Sequence, residues 1–111
     1  MICRIWKGWT TVANADAYER VVRDQVIPGI EARRIPGFQH IDLIRRERDG
    51  EVEFSTLMWF TSLDAIRDFM GDDIEASHVP VAAQAVLSRF ERRAAHYEVL
   101  DRRSQPQGGA A

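Results

Sequence analysis

The chain has 111 residues, of which 45% are hydrophobic and 9% aromatic, so it is long enough for one hydrophobic core and too short for two domains. Fifteen basic residues against 17 acidic ones give a formal net charge of -2. This balance argues against a nucleic-acid partner, which needs a basic patch. No apolar stretch approaches membrane length, so no membrane partner is expected. The single cysteine, Cys3, cannot form an intrachain disulfide, and the cytoplasm is the expected location.

A strand and an amphipathic helix are predicted for the first third of the chain. Residues 2–10 mix β-branched and aromatic side chains without helical periodicity, which predicts the first strand. Pro28-Gly29 should kink the helix that follows, because proline removes a backbone donor, and residues 35–37 (IPG) should close it. Asn14 is its candidate N-cap. Four apolar residues at a spacing of four form its predicted buried stripe: Tyr18, Val22, Val26 and Ile30.

The middle of the chain predicts a β-hairpin. Strands over residues 38–48 and 51–60 are joined by Asp49-Gly50, which suits the positive φ angles of a tight turn. Successive side chains of a strand point to opposite faces, yet residues 54–60 (FSTLMWF) are apolar on both faces, as residues 2–10 are. The helices of one chain can cover only one face. A homodimer through the open sheet face is therefore expected.

Two helices and a last strand are predicted for the remainder. Thr61 and Asp64 form a candidate capping box for a short helix that ends at Gly71. Its predicted apolar face consists of Leu63, Ile66 and Met70. After an acidic turn, a further apolar periodicity predicts a helix over residues 79–90, with Pro80 in its first turn. A strand over residues 93–100 completes the order.

The predicted order of elements is βαββαβ, with a pair of helices in the second helical position. It is typical of an α+β, ferredoxin-like domain with a four-stranded antiparallel sheet and helices on one face. Residues 1–103 form this single domain, and residues 104–111 form a polar, glycine-rich tail that is expected to be disordered. RNA-recognition modules share this topology, but they need an open sheet, which the expected dimer would cover.

Three segments resemble the antibiotic biosynthesis monooxygenase domain family. They are residues 2–6 (ICRIW), 35–38 (IPGF) and 54–65 (FSTLMWFTSLDA), and the resemblance covers residues 1–101. It implies a dimeric α+β barrel with a pocket between the sheet and the helices of each subunit. Some members oxidise phenols or anthrones with dioxygen and need neither metal nor flavin. The resemblance thus implies a cofactor-independent monooxygenase, an oxidoreductase that binds a planar aromatic or quinone-like small molecule.

The resemblance also implies catalytic residues on the third strand. In those members a tryptophan at the position of Trp59 and an asparagine four residues earlier bind and polarise the substrate. Here the earlier residue is Ser55, whose hydroxyl has one donor where an amide has two. Trp59 and Ser55 are candidate catalytic residues on this basis. The missing asparagine favours an alternative, a non-catalytic domain that binds a small ligand or serves in a stress response.

A second branch of the same superfamily binds or degrades haem, through a histidine before the last helix. His78 lies in that segment, and the branch's companion tryptophan falls near Phe69. The asparagine that the branch carries on its first strand is absent here. His78 is therefore a third candidate catalytic residue, and haem binding or degradation is a further alternative to a protein without a cofactor.

The first strand contributes candidate substrate-binding residues. Arg4 and Trp6 share one face of it, and a guanidinium in an apolar pocket could hold a carboxylate or enolate oxygen. We place Phe69 with them. The other histidines, His40 and His96, lack metal-ligand spacing, so no metal site is expected. Together with Asp42 they are candidates for a pocket acid or base.

Overall fold

The sheet has five antiparallel strands in this computed structural model, which describes residues 1–108. β1 (Ile2–Thr11) pairs with β3 (Glu51–Phe60), which pairs in turn with β2 (Phe38–Arg48). β4 (Arg89–Phe90) and β5 (Ala95–Glu98) both pair with the other edge of β1. The predicted α+β class and ferredoxin-like strand order are therefore confirmed; β5 is the expected fourth strand, and the two-residue β4 is an additional strand.

The first helical run is continuous but changes its geometry midway. α1 (Ala15–Val21) passes into a π-helical segment, Val22–Val26, and then into α2 (Ile27–Ala32). In the π segment the N–H of Ile27 bonds to the carbonyl of Val22, five residues back. Pro28 supplies the local cause, because it has no N–H and its ring crowds the carbonyl four residues earlier. The expected irregularity is present and lies just before the proline.

The hairpin has the predicted strand bounds. Asp49 and Gly50 both have positive φ, 55° and 79°, as a two-residue turn of this hand requires. Gly37 also has a positive φ, 87°, where the chain turns from α2 into β2. The N–H of Thr61 bonds to the carbonyl of Gly37, so the end of β3 is tied to this turn.

The third helix, α3 (Leu63–Met70), begins with a different cap from the one expected. Ser62 is its N-cap, and its hydroxyl accepts a hydrogen bond from the N–H of Ala65. The capping role predicted for Thr61 was wrong, because Thr61 still belongs to the extended chain bonded to Gly37. Of the predicted apolar face, Ile66 is buried and Met70 packs against the core, but Leu63 is exposed; Ala65 and Phe69 complete the buried face.

The helix predicted over residues 79–90 is much shorter. α4 covers only Val81–Gln84. The N–H of Ser88 bonds to the carbonyl of Trp9, and that of Glu91 bonds to the carbonyl of Lys7. Pairing with the free edge of β1 therefore removes residues 88–91 from the helix. Residues 101–107 contain neither helix nor strand, and residues 109–111 of the predicted tail lie outside the described residues.

The helices found in residues 1–108 all lie on one face of the sheet. The side chains of Val52, Phe54, Met58 and Phe60 are buried beneath them, whereas Leu57 and Trp59 point to the opposite, open face. Two apolar clusters form the core, one around Tyr18 and Phe54 and one around Phe60 and Phe69, and Val26 packs against both. No helix in residues 1–108 is long and apolar enough to span a membrane.

Candidate functional site

A cavity lies between the helices and the sheet, where the two core clusters meet. Its floor comes from β1 and β3, its roof from α1, the π segment and α2, and one wall from residues 78–83. With its mouth included it encloses about 500 Å³ of space, but a water molecule can move in only about 40 Å³ of it. It is lined mainly by apolar side chains, and its polar or aromatic members are Arg4, Trp6, Tyr18, Thr56, Phe69 and His78.

Arg4 is the buried charge of this cavity. Of the charged side chains in residues 1–108, only that of Arg4 is buried, at 3% exposure. Its guanidinium donates to the carbonyls of Ile74 and Ala76 and to Nε2 of His96. No carboxylate in this part of the chain lies within 4.0 Å of it. Burial lowers the pKa of Arg4 to about 10, so it stays positive at neutral pH.

His78 and Phe69 lie beside this charge. Their ring centroids are 5.0 Å apart, and the guanidiniums of Arg4 and Arg33 lie 5.6 and 5.3 Å from the centroid of Phe69. Burial, and then the positive charges of Arg33 and Arg4, lower the pKa of His78. Its imidazole is therefore neutral at pH 7 and can accept a proton.

Trp6 connects the floor of the cavity to its wall. Its Nε1 donates to the carbonyl of Glu91 at 2.7 Å and to the hydroxyl of Ser77 at 3.2 Å. Together with the two carbonyl bonds of Arg4, these bonds hold residues 74–77 against β1. The ring of Trp6 is thereby fixed as a flat apolar surface in the cavity.

The structure brings together four of the six predicted site residues: Arg4, Trp6, Phe69 and His78. Ser55 and Trp59 lie on the open face, across from Lys7 and Cys3 on β1. Trp59 contacts His40 there, with ring centroids 5.1 Å apart, and the guanidinium of Arg102 lies over its ring at 5.7 Å. A ligand in the helix-side cavity therefore cannot touch Trp59 or Ser55.

The candidate acids and bases are also divided between the two faces. His40 and Asp42 lie on the open face, with Nε2 and Oδ1 3.3 Å apart, and both are exposed. His96 lies on the helix side, bonded to Arg4. Within residues 1–108 no three side chains of the metal-binding types converge.

Thr56 and Tyr18 are polar members of the cavity that were not predicted from the sequence. Thr56 lies two residues from both Phe54 and Met58 on β3. Because every second residue of a strand points to the same face, the face of Thr56 was predictable from the sequence. Tyr18 was recognised as a buried residue of the helical stripe. A tyrosine combines an apolar ring with a polar hydroxyl, and the apolar periodicity of the helix does not indicate that this hydroxyl lines a cavity.

The surroundings of His78 do not fit a haem. The space open to a ligand, about 40 Å³, is far smaller than a porphyrin, and the ring of Phe69 lies against that of His78. Two arginines also flank the imidazole, and positive charge opposes the binding of a cationic metal. His78 as an iron ligand stays a prediction without support from the geometry.

Comparison with solved structures identifies the fold. A Bacillus cereus protein assigned as an antibiotic biosynthesis monooxygenase superposes with a TM-score of 0.63, over 96% of this chain and 98% of that one, at 14% identity. The two share a fold. SnoaB, a cofactor-independent oxygenase from Streptomyces nogalater, gives a TM-score of 0.47 at 19% identity, with coverages of 96% and 98%. No protein-family model and no curated protein matches the chain. The resemblance drawn from the sequence is thus confirmed for the fold.

Proposed function

We propose that this protein is a cofactor-independent, monooxygenase-like protein that binds a planar aromatic phenol or enol in the helix-side cavity. One observation carries the proposal. Within residues 1–108 the buried guanidinium of Arg4 has no carboxylate partner, and Arg4 lines the same cavity as His78, whose imidazole is neutral. A group that accepts a proton and a fixed positive charge are what the ionisation of a weakly acidic hydroxyl requires.

The chemistry assigns one role to each residue. His78 accepts the proton of the bound hydroxyl, and the oxyanion that forms lies beside Arg4, while Trp6 and Phe69 contact the ring. An electron-rich anion of this kind reacts with dioxygen directly. For a substrate with a reactive methylene, that methylene group and one molecule of dioxygen give a carbonyl group and one molecule of water. One oxygen atom enters the substrate, the other leaves as water, and the substrate supplies all the electrons.

The size of the cavity restricts the ligand. Ligand pockets usually hold about 300–1,000 Å³, and here about 40 Å³ is open to a water-sized molecule. A single ring therefore enters with a small displacement of the lining, whereas a fused ring system has to move residues 74–80 away from β1. The substrate is accordingly a one-ring compound, or a larger one that opens this wall.

Oxygen consumption tests the proposal. Hydroquinone, 1-naphthol and anthrone are supplied in turn, and uptake is compared between the wild type and His78→Gln. Loss of a general base lowers a rate by about 10²–10⁴-fold, so the rate of oxygen uptake should fall by about 10²-fold or more. His40→Gln, a histidine on the open face, is the matched control and should retain the rate. Uptake that is unchanged in His78→Gln would exclude the assigned base.

A non-catalytic binding protein is the second candidate. It is favoured by the position of Trp59 and Ser55, which lie away from the cavity, and by the hydrogen bonds that already occupy Arg4. Such a protein would bind the same compounds without oxygen uptake. Binding of 1-naphthol in the cavity with no uptake for any of the three compounds would decide for this candidate.

We further propose that the protein acts as a homodimer through its open sheet face, in the cytoplasm. Ile5, Leu57 and Trp59 form a half-exposed apolar strip there, and Ile44 and Tyr97 beside it are more than half exposed. A groove of about 440 Å³ crosses the same face. An apolar area of this kind is typical of an interface. The free, buried thiol of Cys3 suits a reducing compartment.

A further inference from the structure

Arg4 and His96 form a cross-strand pair that the mechanism above does not use. They lie directly opposite one another on β1 and β5. The distance from NH1 of Arg4 to Nε2 of His96 is 2.8 Å, within the range of a hydrogen bond. Both side chains lie on the helix side of the sheet.

The chemistry of the two groups fixes the proton on His96. A guanidinium has five N–H donors and no acceptor, so Nε2 of His96 must accept, and the ring proton must lie on Nδ1. Burial and the charge of Arg4 lower the pKa of His96, which keeps this neutral form at pH 7. The negative charge of Glu75, in the segment 74–77, has the opposite effect and raises the pKa of His96. The carboxylate of Glu75 also pairs with Arg93, with NH2 of Arg93 3.8 Å from Oε2 of Glu75.

The three acceptors around Arg4 have one property in common: all are uncharged. They are the carbonyl oxygens of Ile74 and Ala76 and the imidazole of His96. A carboxylate at position 96 would satisfy the same N–H group, but it would form an ion pair and cancel the charge. A neutral acceptor holds the guanidinium in place and leaves its whole charge for a ligand.

We propose that His96 is a positioning residue which, as a neutral acceptor protonated on Nδ1, holds Arg4 toward the cavity with its charge uncancelled, so that the site selects anionic over neutral aromatic ligands. This inference rests on the proposed function, because it takes Arg4 as the group that binds the oxyanion. The inference adds to the proposed function a residue, His96, that determines specificity without contacting the ligand.

Two probes of equal size and different charge test this inference. Benzenesulfonate is anionic and benzenesulfonamide is neutral, and each has a single ring, the size that enters the cavity with a small displacement of its lining. Their affinities are measured by titration calorimetry at pH 7 for the wild type, His96→Gln and His96→Glu. Glutamine keeps a neutral acceptor near the position of Nε2, and glutamate adds the cancelling charge. Leu100→Glu, at an 87% exposed position, controls for the change in net charge, and circular dichroism confirms that each variant folds.

The expected pattern separates charge from structure. His96→Gln and Leu100→Glu should bind both probes as the wild type does. His96→Glu should lose affinity for benzenesulfonate by about tenfold or more, since an ion pair replaces the free charge, and should keep its affinity for benzenesulfonamide. A loss of structure would instead weaken the binding of both probes together.

Two other outcomes overturn the assignments, and they can be told apart. If the wild type prefers benzenesulfonate and His96→Glu does as well, the role of His96 is wrong while the Arg4 site stands. If the wild type binds neither probe, or binds both equally, the Arg4 site of the proposed function is wrong and this inference fails with it. The ¹⁵N NMR signals of the His96 ring give an independent check: a proton on Nε2 at pH 7 would overturn the positioning role.

Discussion

Arg4 and Trp59 lie on neighbouring strands of the sheet, but their side chains point to opposite faces. Trp59 is directly opposite Cys3 in the pairing of β1 with β3, and Arg4 is opposite Met58. Arg4 lines the cavity beneath the helices, and Trp59 lies on the opposite face, which none of the helices in residues 1–108 covers. The two halves of the predicted site are therefore separated by the thickness of the sheet, and they can be tested separately.

Substitution of the open face should affect assembly and leave ligand binding intact. Trp59→Glu and Leu57→Glu place a charge in the apolar strip, where burial in an interface is costly. We expect both variants to be monomers at concentrations where the wild type is a dimer, by light scattering, with unchanged affinity for benzenesulfonate. Leu63→Glu, at an exposed position on α3, is the control and should remain dimeric. A monomeric wild type would remove the dimer proposal.

Alanine variants of the open face examine the catalytic role that the sequence predicted for Trp59 and Ser55. Trp59→Ala and Ser55→Ala leave the helix-side cavity unaltered, so oxygen uptake should match that of the wild type. A large loss of uptake in either variant, with the dimer intact by light scattering, would instead place the reaction on the open face. That result would support Trp59 and Ser55 as the catalytic residues, as the family resemblance implies, and would exclude His78 and Arg4 from that role.

The sequence predicted the sheet well because its signals are local and periodic. The bounds of β2 and β3, the Asp49-Gly50 turn and the double-sided character of β3 all follow from residues adjacent in the chain. The last third was predicted less well. An apolar spacing near 3.6 over residues 79–90 competes with free backbone groups on the edge of β1, which only the folded chain presents. Pairing at Ser88 and Glu91 prevails over this local preference.

The candidate site was predicted in part for a related reason. Strand parity places Arg4 and Trp6 on the same face, and it would also have separated Trp59 from Met58. The alternation of side chains along a strand does not indicate which of the two faces the helices cover. That choice depends on long-range packing of Tyr18 against Phe54, whose ring centroids are 4.7 Å apart. The pairing of Arg4 with His96 spans 92 positions of sequence, and no motif indicates it.

The start of α3 gives a direct test of the corrected cap. Ser62→Ala removes the hydroxyl that accepts from the N–H of Ala65, and loss of an N-cap costs about 1 kcal/mol. The free energy of unfolding, from urea titration, should fall by that amount. Thr61→Ala, next to the cap, should cost less than half as much, and Ser62→Asp should retain most of the stability. Equal losses at positions 61 and 62 would contradict this assignment.

Two glycines should respond in opposite directions to the same substitution. At Gly37, with φ of 87°, an added Cβ would collide with Oγ1 of Thr61 and lie 2.9 Å from Cβ of Ala65. Gly37→Ala should therefore lower the free energy of unfolding by about 1–3 kcal/mol. Gly29 lies inside α2 with no atom within 4 Å of an added Cβ. Gly29→Ala should raise it by about 0.5–1 kcal/mol, and a loss there would contradict the helical geometry.

The two helix-side histidines should make the protein less stable in mild acid. The pKa values of His78 and His96 are both lowered from the ordinary 6.5, first by burial. Below pH 6.5 the unfolded chain therefore binds more protons than the native one, and the free energy of unfolding falls as the pH is lowered. Each group contributes a slope of at most about 1.4 kcal/mol per pH unit. Well above pH 6.5 both states hold neutral imidazoles, and this dependence disappears.

The carboxylates allow the effect of the histidines to be isolated. Hydrogen bonds from arginines lower the pKa values of Glu51, Glu53 and Asp73 from 4.5, 4.5 and 3.8, so the stability that these groups contribute is lost as the pH falls to and below these values. Urea unfolding between about pH 5.5 and 6.5, above the range where carboxylates titrate, therefore reports the histidines when the protein concentration is held constant. The double variant His78→Gln/His96→Gln should flatten the profile in this range. A wild-type profile already flat between these values would show that neither ring is held neutral by the fold, and would remove the proton acceptor from the proposed mechanism.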